Sequence, residues 1–280
     1  MNSLFKIIDF FYQKKKNSFL KKTINKKIEV FIDVGAHCGD TINELLTIFS
    51  IKKIYAFEPS KKNYEKLKKK VKKIIKKYSL EINIYPFGIG VKKDFLILNE
   101  VTDSVSNTFN DLNENSQYFK KKKIITTFFG IKNFVENRVP TKIIPLKKFM
   151  IEEKINKVDL IKIDTEGFEY NTLLGLEDYI KKIDFILFEH HYDNMLIKNY
   201  KFADIHRLLQ ENGFRKIFKT KMPFRKSFDY IYENKNWFKF KIAYFMKTVF
   251  YWSPCLSKVG TVKSTVNSAL ALSNYSKEKY

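Results

Sequence analysis

The first segment whose residue types could do chemistry is a glycine turn, FIDVGAHCGDT, at residues 31–41. An apolar run ends at Asp33, Val34 and Gly35, and a helical pattern begins after Gly39. Parallel α/β sheets bind ligands at such turns, at the carboxyl ends of their strands. Glycine lets the backbone approach a ligand that a Cβ atom would obstruct. The spacing is G-x-x-x-G rather than the G-x-G-x-x-G of dinucleotide sites, and there is no P-loop motif.

An acidic residue, Glu58, ends the second predicted strand in the segment AFEP. An acid at this place after a glycine turn can accept hydrogen bonds from both ribose hydroxyls of a nucleoside. Alone, Glu58 would be interpreted as an ordinary surface acid. The glycine turn upstream favours the ribose ligand.

Titratable residues also follow two later apolar segments, DLIKIDTEGFE and ILFEHH. The first brings Asp164 and Glu166 to the end of a strand, and the second brings Glu189, His190 and His191. At one sheet edge these residues would form an acid/base or metal cluster. Two alternatives stay open. Glu166 could cap the following helix, and one histidine should face away because neighbouring strand residues point to opposite faces.

The elements that must position these residues alternate between strand and helix from residue 28 onward. This order predicts an α/β fold with a mostly parallel sheet covered on both faces. Residues 91–157 are less regular, with short β-like pieces at 95–98, 124–129 and 142–145. The predicted strands are 28–34, 54–57, 81–87, 158–163, 183–189, 214–219 and 228–232, and the predicted helices are 41–49, 61–78, 169–180 and 202–210.

These segments resemble, in order and spacing, the FkbM-type family of S-adenosylmethionine-dependent methyltransferases. The resemblance covers roughly residues 28–232 and rests on FIDVGAHCGDT, IYAFEPSKKNYEKL, IYPFGIG, DLIKIDTEGFEYNTLLGL and ILFEHH. It implies a Rossmann-like class I methyltransferase fold with a seven-stranded sheet and a mixed edge. It also implies S-adenosylmethionine as cofactor and O-methylation of a hydroxyl on a sugar, a glycan or a related small metabolite. His37 departs from the family, which usually has asparagine there.

The resemblance also implies roles for individual residues. Asp33, Gly35 and Gly39 should contact the methionine portion of the cofactor, and Asp164 should lie near it. Glu58 should hold the ribose, with Pro59 and Ser60 beside it, and Phe87 and Gly88 should flank the adenine.

Methyl transfer depends mainly on positioning, but a sugar hydroxyl is a poor nucleophile and is helped by a general base. The hypothesis is that His190 or His191, or the carboxylates Asp164 and Glu189, take the proton. A variant is a divalent ion held by carboxylates, which lowers the pKa of the hydroxyl. The sequence assigns no ligands to such an ion.

The formal net charge of +23 suggests a second hypothesis, nucleic-acid methylation. Only four of the 53 basic residues are arginine, however, and arginine is favoured for specific base recognition. The Lys-, Ile-, Asn- and Phe-rich composition is typical of AT-rich coding, and no NPPY-type motif is present. Specific nucleic-acid binding is therefore disfavoured. A third hypothesis is a noncatalytic scaffold of the same fold that docks through its C-terminal tail.

The chain divides into a basic amphipathic leader at 1–27, the methyltransferase-like domain at 28–232 and an aromatic, basic extension at 233–280 with a mobile end. The leader could pack on the domain or contact a membrane surface. No apolar run is long enough to span a bilayer, and no signal peptide is evident. Two cysteines cannot form a disulfide framework. We therefore expect a cytoplasmic protein, with peripheral contact at the inner membrane face as an alternative.

Overall fold

The computed structural model describes residues 2–102, 106–128, 134–223 and 225–235. The predicted extension at 233–280 therefore lies outside the described residues after Lys235.

A seven-stranded sheet forms the centre of the domain, in the order β3-β2-β1-β7-β8-β10-β9. All of its strands are parallel except β10, which runs antiparallel to both β8 and β9. The predicted class I methyltransferase fold, with its mixed edge, is confirmed. The strands of this sheet are β1 (Ile28–Val34), β2 (Ile51–Phe57), β3 (Glu81–Tyr85), β7 (Val158–Ile163), β8 (Ile183–His191), β9 (Phe214–Lys221) and β10 (Ser227–Asn234).

Helices cover the faces of the sheet, and α3 shows how one of them packs. In α3, Leu67, Val71 and Ile74 are buried, whereas nine of its ten lysines are exposed. Amphipathic helices bury their apolar stripe on the core in this way. The helices are α1 (Asn2–Thr23), α2 (Asp40–Leu45), α3 (Lys61–Lys77), α4 (Gln117–Phe128), α5 (Leu146–Glu152), α6 (Glu169–Leu174) and α7 (Phe202–Glu211), with a 3-10 helix at Glu177–Lys182.

A second sheet of three strands, in the order β4-β6-β5, lies within the segment that was predicted to be irregular. Its strands are β4 (Gly88–Ile89), β5 (Asp94–Val101) and β6 (Val135–Ile144). The prediction of a β-like piece at 124–129 is wrong, because α4 covers these residues up to Phe128. Ser116 Oγ accepts a hydrogen bond from the N–H of Phe119 at the start of α4, and Phe119 is buried in a cluster with Phe134. The helix cap and this contact outweigh the strand preference of the β-branched residues.

Helix α1 packs on the domain through its second half. Leu20 and the following Ile24 are buried, and the ring of Phe19 stacks on Phe218 with 4.4 Å between centroids. The hydroxyl of Tyr12 donates to Asp229 Oδ2 at 2.7 Å. Among the described residues, no helix is long and apolar enough to cross a membrane.

The opposite end of the sheet is joined to the chain after α1 by buried charges. Lys26 donates to Asp159 and to Asp184, which lie near the starts of β7 and β8. Asp159 Oδ2 also accepts the backbone N–H groups of Glu29 and Val30. These bonds fix the ends of three neighbouring strands relative to one another.

Candidate active site

One cavity of about 360 Å³ lies at the edge of the sheet where the predicted turns meet. The parallel strands β1, β2, β7 and β8 contribute residues from their carboxyl ends or the turns that follow. Strand β10 contributes Asp229 from its beginning, because it runs in the opposite direction. Gln13 and Lys16 of α1, with Met222 and Arg225 from the β9–β10 connection, complete the wall.

In the glycine turn after β1, other atoms of the protein occupy the space that a side chain would need. Gly35 has φ +82°, and a Cβ atom there would lie 1.9 Å from the carbonyl oxygen of Asp164. Gly39 has φ +81°, and a Cβ atom there would lie 2.9 Å from Leu67 Cδ1. Both glycines are therefore required for packing of the turn, and among the described residues only Gly35 of the two lines the cavity.

Glu58 lines the cavity and ties the turns after β1 and β2 together. Its Oε2 accepts the N–H of His37 at 2.7 Å, and its Oε1 accepts the N–H of Ser60 at 2.9 Å. Burial raises the pKa of Glu58 to about 7, although these hydrogen bonds oppose the rise. Each carboxylate oxygen can accept more than one hydrogen bond, so Glu58 retains capacity for ligand hydroxyls.

Aromatic and apolar residues form the wall beside Glu58. Phe57, Pro59, Gly88 and Phe109 face the cavity. A Cβ atom at Gly88 would lie 2.8 Å from the ring of Phe109, so the glycine permits this ring to approach β4. Phe87 packs against the rings of Phe57 and Tyr85, which stack on each other, and it is not part of the wall formed by the described residues. This side of the cavity suits a flat, apolar ring.

Four carboxylates gather on the other side of the cavity: Asp164, Glu166, Glu189 and Asp229. Burial raises the pKa of Glu189 to about 8, and the charge of Asp164 adds to the rise. Burial likewise raises the pKa of Glu166 to about 7. Burial alone would also raise the pKa of Asp164, but Lys162, 3.0 Å away, holds it below its ordinary value.

His191 lies behind this wall, between carboxylates. Its Nε2 is 3.3 Å from both Glu166 Oε2 and Glu189 Oε1, and its Nδ1 is 3.7 Å from Asp193 Oδ2. Burial alone would lower its pKa, but Glu166, Asp193 and Glu189 raise it to about 10. His191 is therefore an imidazolium near neutral pH, with no lone pair to accept a proton.

His190 points to the opposite face of β8. Its ring packs against the rings of Tyr192, Tyr200 and Phe202. Burial, with the positive charge of Lys198, lowers its pKa to about 3. His190 is thus a neutral residue in an aromatic cluster, as expected for one of two adjacent strand residues.

The turn that carries Glu166 is held by hydrogen bonds to the side chain of Glu169, which is fully buried. Glu169 Oε1 accepts the N–H of Gly167 at 2.8 Å, and its Oε2 accepts the hydroxyl of Tyr200 at 2.6 Å. Gly167 and Glu166 both have positive φ, +91° and +48°. Such a turn is costly without outside support, and Glu169 supplies it.

Asp33 lies one layer behind the cavity. It is fully buried, neither oxygen accepts a hydrogen bond from the described residues, and Oδ1 is 3.9 Å from Lys162 Nζ. Burial raises its pKa to about 6, against the effect of Lys162. Asp33 therefore affects the cavity only indirectly: the amine of Lys162, which lines the cavity, lies between Asp33 and Asp164.

The structure brings six of the eleven predicted site residues onto the cavity wall and leaves five off it, within the part of the chain that it describes. Lining residues are Gly35, Glu58, Pro59, Gly88, Asp164 and Glu189; Asp33, Gly39, Phe87, His190 and His191 are not. Their functional roles stay predictions.

Sequence reasoning missed several residues of the wall, above all Lys162 and Asp229. A lysine inside an otherwise apolar strand was an available signal for Lys162. For Asp229 the signal was the antiparallel direction of the last strand, which brings its beginning to the site. Nothing in the sequence indicated that α1 would contribute Gln13 and Lys16.

The donor set of the wall fits S-adenosylmethionine. Pockets for small ligands usually hold about 300–1,000 Å³, and this cavity joins an aromatic wall, the buried acid Glu58 and a carboxylate cluster. The variant with a catalytic divalent ion is not supported. Among the described residues, the side chains grouped closely enough to hold one ion are His37, Cys38 and Asp40, not the four carboxylates.

Comparison with protein families shows that the methyltransferase FkbM domain matches residues 33–216 of this chain. No curated protein matches the chain.

Solved structures of methyltransferases are similar in fold. A methyltransferase FkbM from Methylobacillus flagellatus KT has 14% identity and a TM-score of 0.48, and the match covers 73% of this chain and 43% of that one. This chain thus spans less than half the length of that protein. Magnesium protoporphyrin IX methyltransferase from Synechocystis PCC 6803, solved with bound SAM, has 10% identity, a TM-score of 0.45 and coverages of 81% and 79%.

Proposed function

The chain belongs to the methyltransferase FkbM family, and we propose that it transfers a methyl group from S-adenosylmethionine to a hydroxyl of a sugar, a glycan or a related small metabolite. One observation carries the proposal. A single cavity has a ribose-type acid, Glu58, on one side and a cluster of buried carboxylates around Glu189 on the other. The first suits a nucleoside cofactor and the second suits proton removal from an acceptor.

The cofactor would be held by the turns after β1, β2 and β3. Glu58 would accept hydrogen bonds from the ribose hydroxyls, and the rings of Phe57 and Phe109 would flank the adenine. When bound, S-adenosylmethionine supplies a methyl group already activated by the positive sulfur. The task of the protein is then to place the acceptor oxygen in line with that group.

Glu189 is the general base that the site favours most. It is 6% exposed, it lines the cavity, and its Oε1 accepts no hydrogen bond from the described residues. A base works best when its pKa lies near the working pH, and that of Glu189 is about 8. His191, already protonated, orients the carboxylate instead of competing for the proton. The hydroxyl proton would pass to Glu189 while the oxygen attacks.

Titration calorimetry with S-adenosylhomocysteine tests the cofactor site. We expect micromolar binding by the wild type and a loss of about 10- to 100-fold in Glu58→Gln, because the amide replaces one acceptor oxygen with a donor that the ribose contact and the two backbone N–H groups do not match. Glu81→Gln, which changes an exposed acid on β3, is the matched control and should bind normally. Thermal melting checks that both variants are folded. Normal binding by folded Glu58→Gln would contradict the assigned ribose contact.

Turnover of a methyl-labelled cofactor with a panel of sugars and glycans tests the base. Glu189→Gln should lower kcat by about 10²- to 10⁴-fold, the usual contribution of a general base. Its affinity for S-adenosylhomocysteine should change little. A folded Glu189→Gln enzyme with wild-type kcat would remove Glu189 from the mechanism.

We also propose an acceptor that is a free small molecule or glycan in the cytoplasm, with membrane contact limited to the basic and aromatic termini. Strand β10 continues through Asn234, two residues past the predicted domain boundary. A deletion that tests the tail should therefore begin at Asn236. Retained cofactor binding with lost vesicle or partner association would support a docking tail, and lost turnover would assign the tail to the acceptor site.

A further inference from the structure

Three side chains of the glycine turn converge on one point beside the cavity. Cys38 Sγ lies 2.8 Å from His37 Nδ1 and 3.9 Å from Asp40 Oδ2. One ligand-type atom from each of the three residues lies within 4.8 Å of the others. The positive φ values of His37, +48°, and Gly39, +81°, curl the backbone so that these side chains meet.

The turn that carries the three side chains is held in place by its surroundings. The N–H of His37 donates to the buried Glu58, and Gly39 packs against Leu67 of α3. Lys70, also on α3, pairs with Asp40 Oδ1 and leaves Oδ2 facing the thiol. A site whose ligands are positioned before binding costs less to organise.

The donor set selects a class of ion. A thiolate sulfur, an imidazole nitrogen and a carboxylate oxygen are the three ligand types that Zn²⁺ takes in proteins. Mg²⁺ and Ca²⁺ take oxygen ligands instead. Three protein ligands leave a fourth tetrahedral position open. The Asp40 side chain is 76% exposed and Cys38 is half-buried, so an ion can reach the cluster from solvent without opening the fold.

We propose that His37, Cys38 and Asp40 form a binding site for Zn²⁺ or a similar thiophilic ion at the mouth of the cofactor cavity. His37 and Asp40 also line that cavity. An ion bound there would occupy space and add positive charge beside the turn that receives the cofactor. Metal binding and cofactor binding therefore oppose each other, and the opposition is reciprocal. Zinc bound at the glycine turn would therefore inhibit the enzyme.

Metal titration of the full-length protein tests the site without any cofactor. The parent is Cys255→Ser, which removes the second thiol of the chain. We expect micromolar Zn²⁺ binding by calorimetry and an ultraviolet thiolate-to-metal charge-transfer band with Cd²⁺. Cys38→Ser should abolish the band. His37→Asn and Asp40→Asn should each weaken Zn²⁺ binding at least ~10-fold, because losing even a group that only supports a metal ligand costs about 10- to 100-fold.

His37→Asn is chosen because asparagine tolerates positive φ, and thermal melting confirms that each variant is folded. His206→Gln, a histidine of α7, is the matched control and should bind Zn²⁺ as the parent does. A Cd²⁺ band that persists in Cys38→Ser, or Zn²⁺ affinity unchanged in folded His37→Asn, would overturn the site. The short Cys38–His37 contact would then be a thiol–imidazole hydrogen bond alone.

The opposition to the cofactor rests on the proposed function and has a separate readout. Saturating Zn²⁺ should weaken binding of S-adenosylhomocysteine by at least ~5-fold, the lower end of common coupling. Cys38→Ser should remove this effect. Zn²⁺ binding that leaves the S-adenosylhomocysteine affinity unchanged would overturn the opposition. Failure of S-adenosylhomocysteine to bind even without metal would instead count against the proposed function, and the metal site would stand on its own titration.

Discussion

Gly35 is a residue at which two distant parts of the sequence come into close contact beside the cavity. A Cβ atom there would lie 1.9 Å from the carbonyl oxygen of Asp164, and φ is +82°. We expect Gly35→Ala to lower the free energy of unfolding by more than ~3 kcal/mol, because positive φ alone costs about 1–2 kcal/mol and the overlap adds to it. Urea unfolding measures the difference.

Gly213 is the matched control for that change. It has φ +86°, but a Cβ atom there would meet no atom within 4 Å. Gly213→Ala should therefore cost only the ~1–2 kcal/mol of the backbone strain. If both variants lost the same free energy of unfolding, the close approach of Gly35 to the Asp164 carbonyl would contribute nothing to stability.

Glu189 gives a prediction about the dependence of stability on pH. Its pKa is about 8 in the folded protein against an ordinary 4.5, so the folded state holds a proton that the unfolded state loses. This contribution is fully present below about pH 4.5 and is lost as the pH rises through 8. The pKa of His191 is about 10 in the folded protein against an ordinary 6.5, so its contribution to stability is likewise lost as the pH rises from 6.5 to about 10.

We therefore expect Glu189→Gln, which keeps a neutral side chain, to flatten this decline. At pH 9 the variant should be more stable than the wild type by roughly 1–3 kcal/mol, and at pH 5 the two should be similar. Thermal melting from pH 5 to 9 measures this, with Glu211→Gln, an exposed acid of α7, as control. If the stability of Glu189→Gln fell with pH as steeply as that of the wild type, Glu189 would not be the group that titrates.

The positions of these residues were predictable, but their neighbours were not. Glu58 and Asp164 were expected at strand ends, and both line the cavity. The sequence does not say that Gly35 meets the Asp164 carbonyl, because that contact depends on how two strands far apart in the chain approach. Likewise, two adjacent histidines were expected to face opposite ways, but only the surrounding carboxylates identify His191 as the charged one.

Elements are joined at the end of the sheet away from the cavity by Lys26, which pairs with the buried Asp159 and Asp184. Lys26→Met would leave two buried carboxylates near each other, so we expect a loss of about 1–3 kcal/mol. Lys27→Met is the matched control, because Lys27 pairs with Glu29 only at an exposed site. Its loss should be below ~0.5 kcal/mol.

Urea unfolding of the two lysine variants, with circular dichroism as the signal, makes the comparison. Similar stability of Lys26→Met and the wild type would mean that Lys157, 3.2 Å from Asp184, replaces the lost amine. That outcome would contradict the assignment of Lys26 as the main tie between the strands.

At the scale of elements, strong patterns predicted the fold, and weaker ones were partly right: the β-like pieces at 95–98 and 142–145 fall in β5 and at the end of β6. Apolar strands such as β1 and β7 match their predicted bounds. Helix α4 was missed because its Ser116 cap and its buried Phe119 outweigh a run of β-branched residues. The three-stranded sheet was missed because its pairing joins β5 to β6 across a long, polar connection, and local patterns do not contain such pairing.

Charge is distributed unevenly over the whole molecule. The protein has a net charge of +23, yet the cavity wall contains seven carboxylates and three cationic side chains. Nine of the ten lysines of α3 are exposed and supply part of the positive excess. A polyanion would therefore be attracted to the lysines of α3 rather than to the cavity, by charge alone and without regard to its sequence.

We accordingly expect RNA to bind weakly and without sequence preference. Affinity for a labelled oligonucleotide should fall at least ~10-fold from about 50 to 200 mM salt, and a scrambled sequence should behave identically. Lys69→Gln with Lys73→Gln on α3 should weaken binding of all sequences equally. Sequence- or structure-selective binding that persists at physiological salt would favour nucleic-acid methylation instead.

The place of β10 in the sheet has a consequence for synthesis of the protein. A ribosome releases the chain from its N-terminus, so β8 and β9 emerge before the strand that must lie between them. Until β10 arrives, the edge of β8 that faces β10 is bare, and the hydrogen bond from Tyr12 of α1 to Asp229 cannot form. Bare strand edges are the surfaces on which nascent chains aggregate and chaperones act. The cavity is thus completed only when β10 is in place, and a stalled chain that ends before residue 227 carries almost all the domain's mass but lacks Asp229 of the cavity wall.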